Sequence, residues 1–191
     1  MSKIILLDNN MINQIAAGEV VERPSSVVKE LIENSIDAGA TNITIEIKDG
    51  GTSLIRVSDN GSGIEKDDVK KAFLRNATSK IKNIEDLTNV LTLGFRGEAL
   101  ASIVAVSQVE MLTKTSNDNV GSFIEIHGGE IIKENIIATT NGTSIIIRNL
   151  FYNVPARRKF LKKNSAETAL ITDIVNKFVL SNPNISFKYI V

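Results

Sequence analysis

The sequence predicts an α+β fold, a sandwich of helices against an antiparallel or mixed sheet. From Ile43 onward, apolar residues alternate with polar ones over short stretches, the period of half-buried strands. Stripes of helical period stand on either side of those stretches, from Val27 to Ile32 and from Leu170 to Phe178. The regular strand-helix-strand alternation of an all-parallel sheet is missing. With 191 residues, 42% of them hydrophobic, the chain supports one well-buried core, and a single domain over residues 1–191 is expected.

The first helix is expected at residues 24–38: Pro24 and two serines open it, Val27, Val28, Leu31 and Ile32 share a face, and Gly39 ends it. Next, Ile43, Ile45 and Ile47 alternate with Thr44, Glu46 and Lys48. Asp49, Gly50 and Gly51 then supply a turn before Ile55 and Val57 resume the alternation, which makes a β-hairpin. Residues 65–89 are polar and charged with a helical beginning, Gly94 and Gly97 punctuate the next stretch, and Ala99 to Val106 is an apolar run, so a mobile loop between two helices is expected. Strand patterns recur at residues 108–113, 122–126, 130–138 and 143–148, a meander whose turns are Thr115 to Asn119 and Gly128-Gly129. Asn153 and Pro155 look like a helix start, and Leu170, Ile171, Ile174, Val175 and Phe178 place one stripe on a long helix. A last strand, ISFKYIV, comes after it, and a chain that stops inside an apolar strand points to a further domain beyond it.

Lysine plus arginine and aspartate plus glutamate number 22 each, so no global field draws the chain to DNA or to an anionic membrane, and any nucleic-acid contact must be local. The absence of cysteine excludes disulfides, thiol nucleophiles and cysteine metal sites, and a single histidine, His127, excludes a histidine-rich one. The opening MSKIILLDNN has an apolar run shorter than the roughly 7–15 residues of a signal peptide. No segment approaches the roughly 20 apolar residues of a membrane helix. The expectation is a soluble protein without membrane contact, cytoplasmic, nucleoid-associated in a bacterium or nuclear in a eukaryote.

Glu30, Asn34 and Asp37 fall at i, i+4 and i+7 and project from one helix face. Every amphipathic helix has such a solvated face, so spacing alone proves little. The residue types say more: a carboxylate can take a proton from water, and an amide oxygen one turn on can meet a hard cation. In DNGSGI, residues 59–64, counting by two from Ile55 and Val57 aims Asp59 inward. An unpaired buried carboxylate is costly, so Asp59 must meet donors, and the exocyclic amino group of a base is one candidate. Gly61 and Gly63 permit a turn and the close approach of a flat ligand, although an ordinary Asn-Gly turn also explains them.

In GFRGEAL, residues 94–100, glycines precede a helix beginning near Glu98, whose free N–H groups could cradle phosphate; as a lone glycine pair it reads as a plain loop-to-helix junction. ATSK, residues 77–80, adds two hydroxyls and a lysine upstream. The basic run Arg157, Arg158, Lys159, Lys162 and Lys163 reads as a solvated helix face with Phe160 and Leu161 as its buried side, or else as a DNA-facing patch. His127 has no assigned role, and Gly142-Thr143 enters a strand at a place that could approach a ligand.

Together QIAAGEVVERPSSVVKELIENSIDAGA, DNGSGI, ATSK, GFRGEALASI and LFYNVPARRKFL, from about residue 13 to 162, resemble in order and composition the signature segments of the MutL family. That family lies within the GHKL ATPases, named for gyrase, the heat-shock chaperone, histidine kinases and MutL. The resemblance implies a two-layer sandwich, a mixed, largely antiparallel sheet with helices on one face. ATP would lie between helix and sheet under a lid at about residues 72–98. It further implies Glu30 as the general base that activates water, Asn34 as the magnesium ligand and Asp59 as acceptor of the adenine amino group. Gly63 would leave room beside the base and Thr143 would support it, with Asp37, Asn60 and Gly61 as further pocket residues. Thr78, Ser79 and Lys80 would join Gly94, Phe95, Arg96, Gly97, Glu98, Ala99 and Leu100 in the lid, where backbone donors hold the triphosphate. Such a site suits phosphoryl transfer, which needs mainly positioning and charge neutralisation.

The implied function is an ATP- and magnesium-dependent switch of DNA mismatch repair. Lid closure and pairing of two ATPase domains would signal to mismatch-recognition and other repair proteins. Family members carry a second, transducer-like domain that supplies a lysine to the γ-phosphate and a third region for constitutive dimerisation, neither of them visible in this chain. Losing one transition-state donor costs about 10²–10³ in rate, so very slow hydrolysis is expected. A monomer is expected here and a nucleotide-dependent homodimer in the full-length protein, with DNA contacted chiefly through the latter. The competing readings are a nonenzymatic nucleotide-gated scaffold and a topoisomerase-type ATPase domain; zero net charge argues against a standalone DNA-binding module.

Overall fold

The computed structural model describes Ile5 and residues 9–79 and 97–191. Its helices are α1 (Asn9–Val20), α2 (Pro24–Asp37), α3 (Ala99–Ala105), α4 (Pro155–Phe160) and α5 (Asn164–Ser181). Its strands are β1 (Asn42–Lys48), β2 (Leu54–Asp59), β3 (Gln108–Lys114), β4 (Gly121–His127), β5 (Glu130–Ile137), β6 (Gly142–Arg148) and β7 (Ser186–Ile190). Among the described residues the strands form one sheet in the order β5-β4-β3-β6-β2-β1-β7. Every neighbouring pair is antiparallel except β1 with β7, so the sheet is mixed and largely antiparallel, as expected.

Register carries the alternation seen in the sequence straight across the sheet. Ile45 stands opposite Val57, Val57 opposite Ile145, Ile145 opposite Met111 and Met111 opposite Ile124, and all five are buried. The parallel row runs through Ile47, Ile55, Ile147, Val109 and Ile126. Val27, Val28, Leu31 and Ile32 of α2, Ile103 and Val104 of α3, and Ile171 and Val175 of α5 pack onto these rows to complete one core. The other face carries Glu46, Arg56, Glu110 and Glu125, exposed or half-buried. Each fully buried isoleucine is worth roughly 1.5–3 kcal/mol over an exposed one, so a one-residue slip that turned Ile43, Ile45 and Ile47 outward is strongly disfavoured.

Four features depart from the sequence expectation. Helix α1, which the sequence reading does not assign, lies against α3, with Met11, Ile12 and Ile15 exposed and Ala17 buried. The helix that starts at Pro155 ends at Phe160, and a separate one begins at Asn164, where the buried Glu167 accepts the Lys162 N–H through Oε1 at 3.0 Å. The expectation that Phe160 lines a buried side is overturned: Phe160 is 85% exposed, while Leu161 is half-buried. Leu161 is already extended (φ −66°, ψ 146°), so the six-residue α4 is too short to fold Phe160 back onto the core. Nor is the basic run uniformly solvated, because the Arg157 guanidinium lies over Gly18 of α1 and donates to the Ile15 carbonyl at 3.4 Å.

Candidate functional site

At one end of the sheet the inward rows change from apolar to polar. Thr113 stands opposite Thr143, and Asp59 lies one place beyond the Ser58–Ser144 pair, on the same face as Val57. The inward parity of Asp59 is therefore observed, and the donors its carboxylate requires are present. Oδ1 accepts the N–H groups of Gly61 at 2.9 Å and Thr143 at 3.2 Å. Oδ2 accepts the Ser35 hydroxyl at 2.9 Å. Three donors from three segments fix the half-buried carboxylate as an acceptor while leaving Oδ2 room for one more donor.

Ser35 belongs to α2, so this bond lays the helix across the Asp59 end of the sheet. Glu30 stands five residues earlier, roughly 7.5 Å along the helix axis at 1.5 Å per residue. Asn34 and Asp37 are half-buried and flank Ser35. The Glu30 side chain is 29% exposed, with Lys29 Nζ 3.5 Å from its Oε1 and 2.7 Å from Glu33 Oε2. Burial pulls the Lys29 ammonium down, but the hydrogen bond from Lys29 to Glu33 and the charges of Glu30 and Glu33 outweigh it and hold its pKa above the ordinary value.

The turn after β2 is pinned on two sides. Ser62 donates its N–H to the Ala38 carbonyl at 2.9 Å, tying the turn to the end of α2. Ile64 donates its N–H to Thr113 Oγ1, also at 2.9 Å, tying it to β3. Gly63 makes the second approach possible: its φ is +72°, and a Cβ there would stand 2.1 Å from the Lys114 carbonyl oxygen. Asn60 is committed elsewhere, its Oδ1 accepting the Thr41 and Asn42 N–H groups and its Nδ2 donating to Thr41 Oγ1. That arrangement anchors the entry to β1 rather than facing the Asp59 carboxylate.

Of the expected lid, Lys80, Gly94, Phe95 and Arg96 lie outside the described residues, as does most of the span of residues 72–98. The described part brings ATSK and GFRGEAL together, for a Cβ on Gly97 would lie 2.6 Å from the Ala77 carbonyl oxygen. Thr78 is half-buried and Ser79 exposed; Glu98, Ala99 and Leu100 are half-buried where α3 begins.

Two polar residues that the sequence pattern alone does not single out belong to this site. Ser35 is buried, as is Thr113, whose Oγ1 lies 3.0 Å from Thr143 Oγ1. Both occupy positions that the apolar periodicity assigns to the core, Ser35 one turn after Leu31 and Thr113 two after Met111. A hydroxyl in such a position needs a partner, and that need is the signal by which the sequence could have marked them.

Residues 22–151 match the family described as histidine kinase-, DNA gyrase B- and HSP90-like ATPase. The chain is 54% identical over 190 residues to the DNA mismatch repair protein MutL of Caldanaerobacter subterraneus subsp. tengcongensis, covering 100% of this chain and 32% of that protein. It is 56% identical over 190 residues to the MutL of Agathobacter rectalis, covering 100% of this chain and 29% of that one. The chain thus spans about a third of the length of these curated relatives. Among solved structures, the Aquifex aeolicus MutL ATPase domain complexed with ADP matches with a TM-score of 0.75 and 35% identity, over 90% of this chain and 60% of that one. The N-terminal domain of a DNA repair protein matches with a TM-score of 0.79 and 30% identity, over 93% of this chain and 51% of the other.

Proposed function

The chain belongs to the histidine kinase-, DNA gyrase B- and HSP90-like ATPase family, as a MutL-type ATPase region, and from that premise we infer that it is the ATP-driven switch of a mismatch-repair protein. The observation that carries the reading is the Asp59 carboxylate. It faces inward, is held by Gly61, Thr143 and Ser35, and retains acceptor capacity that matches the amino group of adenine. Thr143 supports the base, and Gly61 and Gly63 keep the β2 turn low beside it. The ADP-bound Aquifex aeolicus domain, similar over 90% of this chain, favours a nucleotide in this place.

Helix α2 supplies the chemistry. Glu30 orients an attacking water and accepts its proton, and Asp37 is a further pocket residue. Among the described residues no group of three or more histidine, aspartate or glutamate side chains could hold a metal alone. Asn34 offers the neutral hard oxygen that suits magnesium, with phosphate and water oxygens completing the shell. Bound there, magnesium would neutralise phosphate charge beside a helix bearing Glu30, Glu33 and Asp37. Residues of the expected lid, from Thr78 to Lys80 and from Gly94 to Leu100, would hold the triphosphate through backbone donors and close over it. Closure would pair two ATPase domains and signal to mismatch-recognition and other repair proteins, with DNA engaged by the longer protein. Slow hydrolysis is part of this reading, since the chain spans about a third of its relatives' length and a cationic donor to the γ-phosphate would come from outside these residues.

Calorimetric titration with a nonhydrolysable ATP analogue, with and without magnesium, tests this. Magnesium-dependent binding that prefers the ATP analogue to the GTP analogue and disappears in Asp59→Asn is expected, whereas undiminished binding by Asp59→Asn would refute the pocket. Glu30→Gln should bind as the parent does and lose turnover; turnover at the parent rate would remove Glu30 as the base.

A further inference from the structure

Thr113 is buried where three segments of the pocket wall meet. Its Oγ1 accepts the Ile64 N–H at 2.9 Å, lies 3.2 Å from the Gly142 carbonyl oxygen, and lies 3.0 Å from Thr143 Oγ1. A hydroxyl has one proton and two lone pairs. Ile64 occupies one lone pair, so the proton goes either to Gly142 or to Thr143. If Gly142 receives it, Thr143 donates back to Thr113 and offers the pocket only lone pairs. If Thr143 receives it, the Thr143 proton is turned into the pocket. Asp59, whose Oδ1 accepts the Thr143 N–H, can only accept, so the second arrangement sets a donor beside an acceptor. Adenine presents the complement, an amino donor at N6 beside an acceptor at N1. Guanine presents the reverse, a carbonyl at O6 beside an N–H at N1.

We propose that Thr113 is a positioning and specificity-determining residue for the nucleobase: its hydroxyl donates to Thr143 and thereby presents the Thr143 hydroxyl as a donor to adenine N1, directly or through one water. This rests on the ATP reading above and adds to it a residue that need not touch the ligand. It also explains why a hydroxyl stands in the inward row that Val109 and Met111 otherwise make apolar.

The test is a cycle crossing a protein change with a ligand change. ATP and 1-deaza-ATP, in which a C–H replaces N1, are titrated with magnesium into the unaltered chain, Thr113→Val, Thr113→Ser, Thr143→Val and Asp59→Asn. The unaltered chain should prefer ATP by about tenfold, the worth of one hydrogen bond. That preference should fall below about threefold in Thr113→Val and Thr143→Val and return in Thr113→Ser. An equal preference in the unaltered chain and Thr113→Val overturns the proposal. So does an unaltered chain indifferent to N1, or a Thr143→Val chain that keeps the preference; the last result decides the matter even if Thr113→Val does not fold. If the unaltered chain fails to bind ATP, or Asp59→Asn binds it equally well, the ATP reading falls and the relay with it. Loss of binding in Asp59→Asn with N1 preference intact in Thr113→Val removes the relay alone.

Discussion

Gly63 and Gly39 have the same φ, +72°, yet a Cβ would meet nothing within 4 Å at Gly39 and would lie 2.1 Å from the Lys114 carbonyl oxygen at Gly63. Alanine at either site carries the same backbone penalty, about 1–2 kcal/mol for a non-glycine residue in the left-handed region. At Gly39 that is the whole cost. At Gly63 the neighbour is backbone, so relief requires moving the β2 turn or the end of β3, about 1–3 kcal/mol by analogy with overpacked cores. Moving them also draws Ile64 away from Thr113, and a lost hydrogen bond inside the wall adds about 1–3 kcal/mol. The common strain cancels in the comparison, leaving Gly63→Ala about 2–6 kcal/mol less stable than Gly39→Ala, a large share of a typical total of about 5–15 kcal/mol. Urea unfolding of both variants measures the difference, read as a shift in midpoint at constant slope. Gly39→Ala should keep parental ATP-analogue affinity, while Gly63→Ala loses most of it. Equal midpoints for the two variants would refute the claim that close approach, rather than conformation, requires glycine at position 63.

The same geometry yields three more expected outcomes. Ser35→Ala removes the 2.9 Å bond to Asp59 Oδ2 and should lower stability by about 1–2 kcal/mol in urea unfolding, near the low end for a charged partner because water reaches the half-buried carboxylate. Lys29 has a pKa raised above 10.5 by Glu33 and Glu30, so its contribution is complete below 10.5 and disappears as pH climbs through the raised value. With Lys29 47% exposed, Lys29→Met should therefore cost under about 1 kcal/mol near neutral pH, and thermal unfolding of parent and variant should converge only above pH 10.5. Gly18→Ala must displace the Arg157 guanidinium, whose Nη2 would stand 1.1 Å from the new Cβ, but a flexible side-chain end can move. The helix-propensity gain of about 1 kcal/mol should thus be offset in Gly18→Ala and recovered when Gly18→Ala is made in an Arg157→Ala background, as thermal unfolding would report.

How much was legible depended on whether a feature is set by near neighbours. The hairpin of β1 and β2, the meander from β3 to β6 and helix α2 follow from periods of 2 and 3.6 with glycine turns, and the structure places them within a residue or two of expectation. Strand order was not legible in the same way, because pairing β6 with both β3 and β2, or β7 parallel to β1, is decided by packing between distant segments. The α4–α5 break was hidden for a related reason: no glycine or proline stands between Phe160 and Asn164, and the interruption coincides with Glu167 bonding back to Lys162. The site was partly readable because one rule serves core and pocket alike. Counting by two from Val57 reaches Asp59, and a carboxylate in that position stands out because burying it unpaired is expensive. The identical count from Met111 reaches Thr113, and from Ile145, backward, Thr143. A threonine passes as a β-former, so the cost of its buried hydroxyl is easily overlooked beside a charge. Yet the inward polar positions of β2, β3 and β6 converge only when the register is known, and there the isolated parity of Asp59 becomes a wall of Asp59, Thr143 and Thr113. A polar residue on an apolar parity marks a candidate; the same anomaly on neighbouring strands at one level of the sheet marks a site, because each buried polar group can then supply the hydrogen-bond partner that another requires.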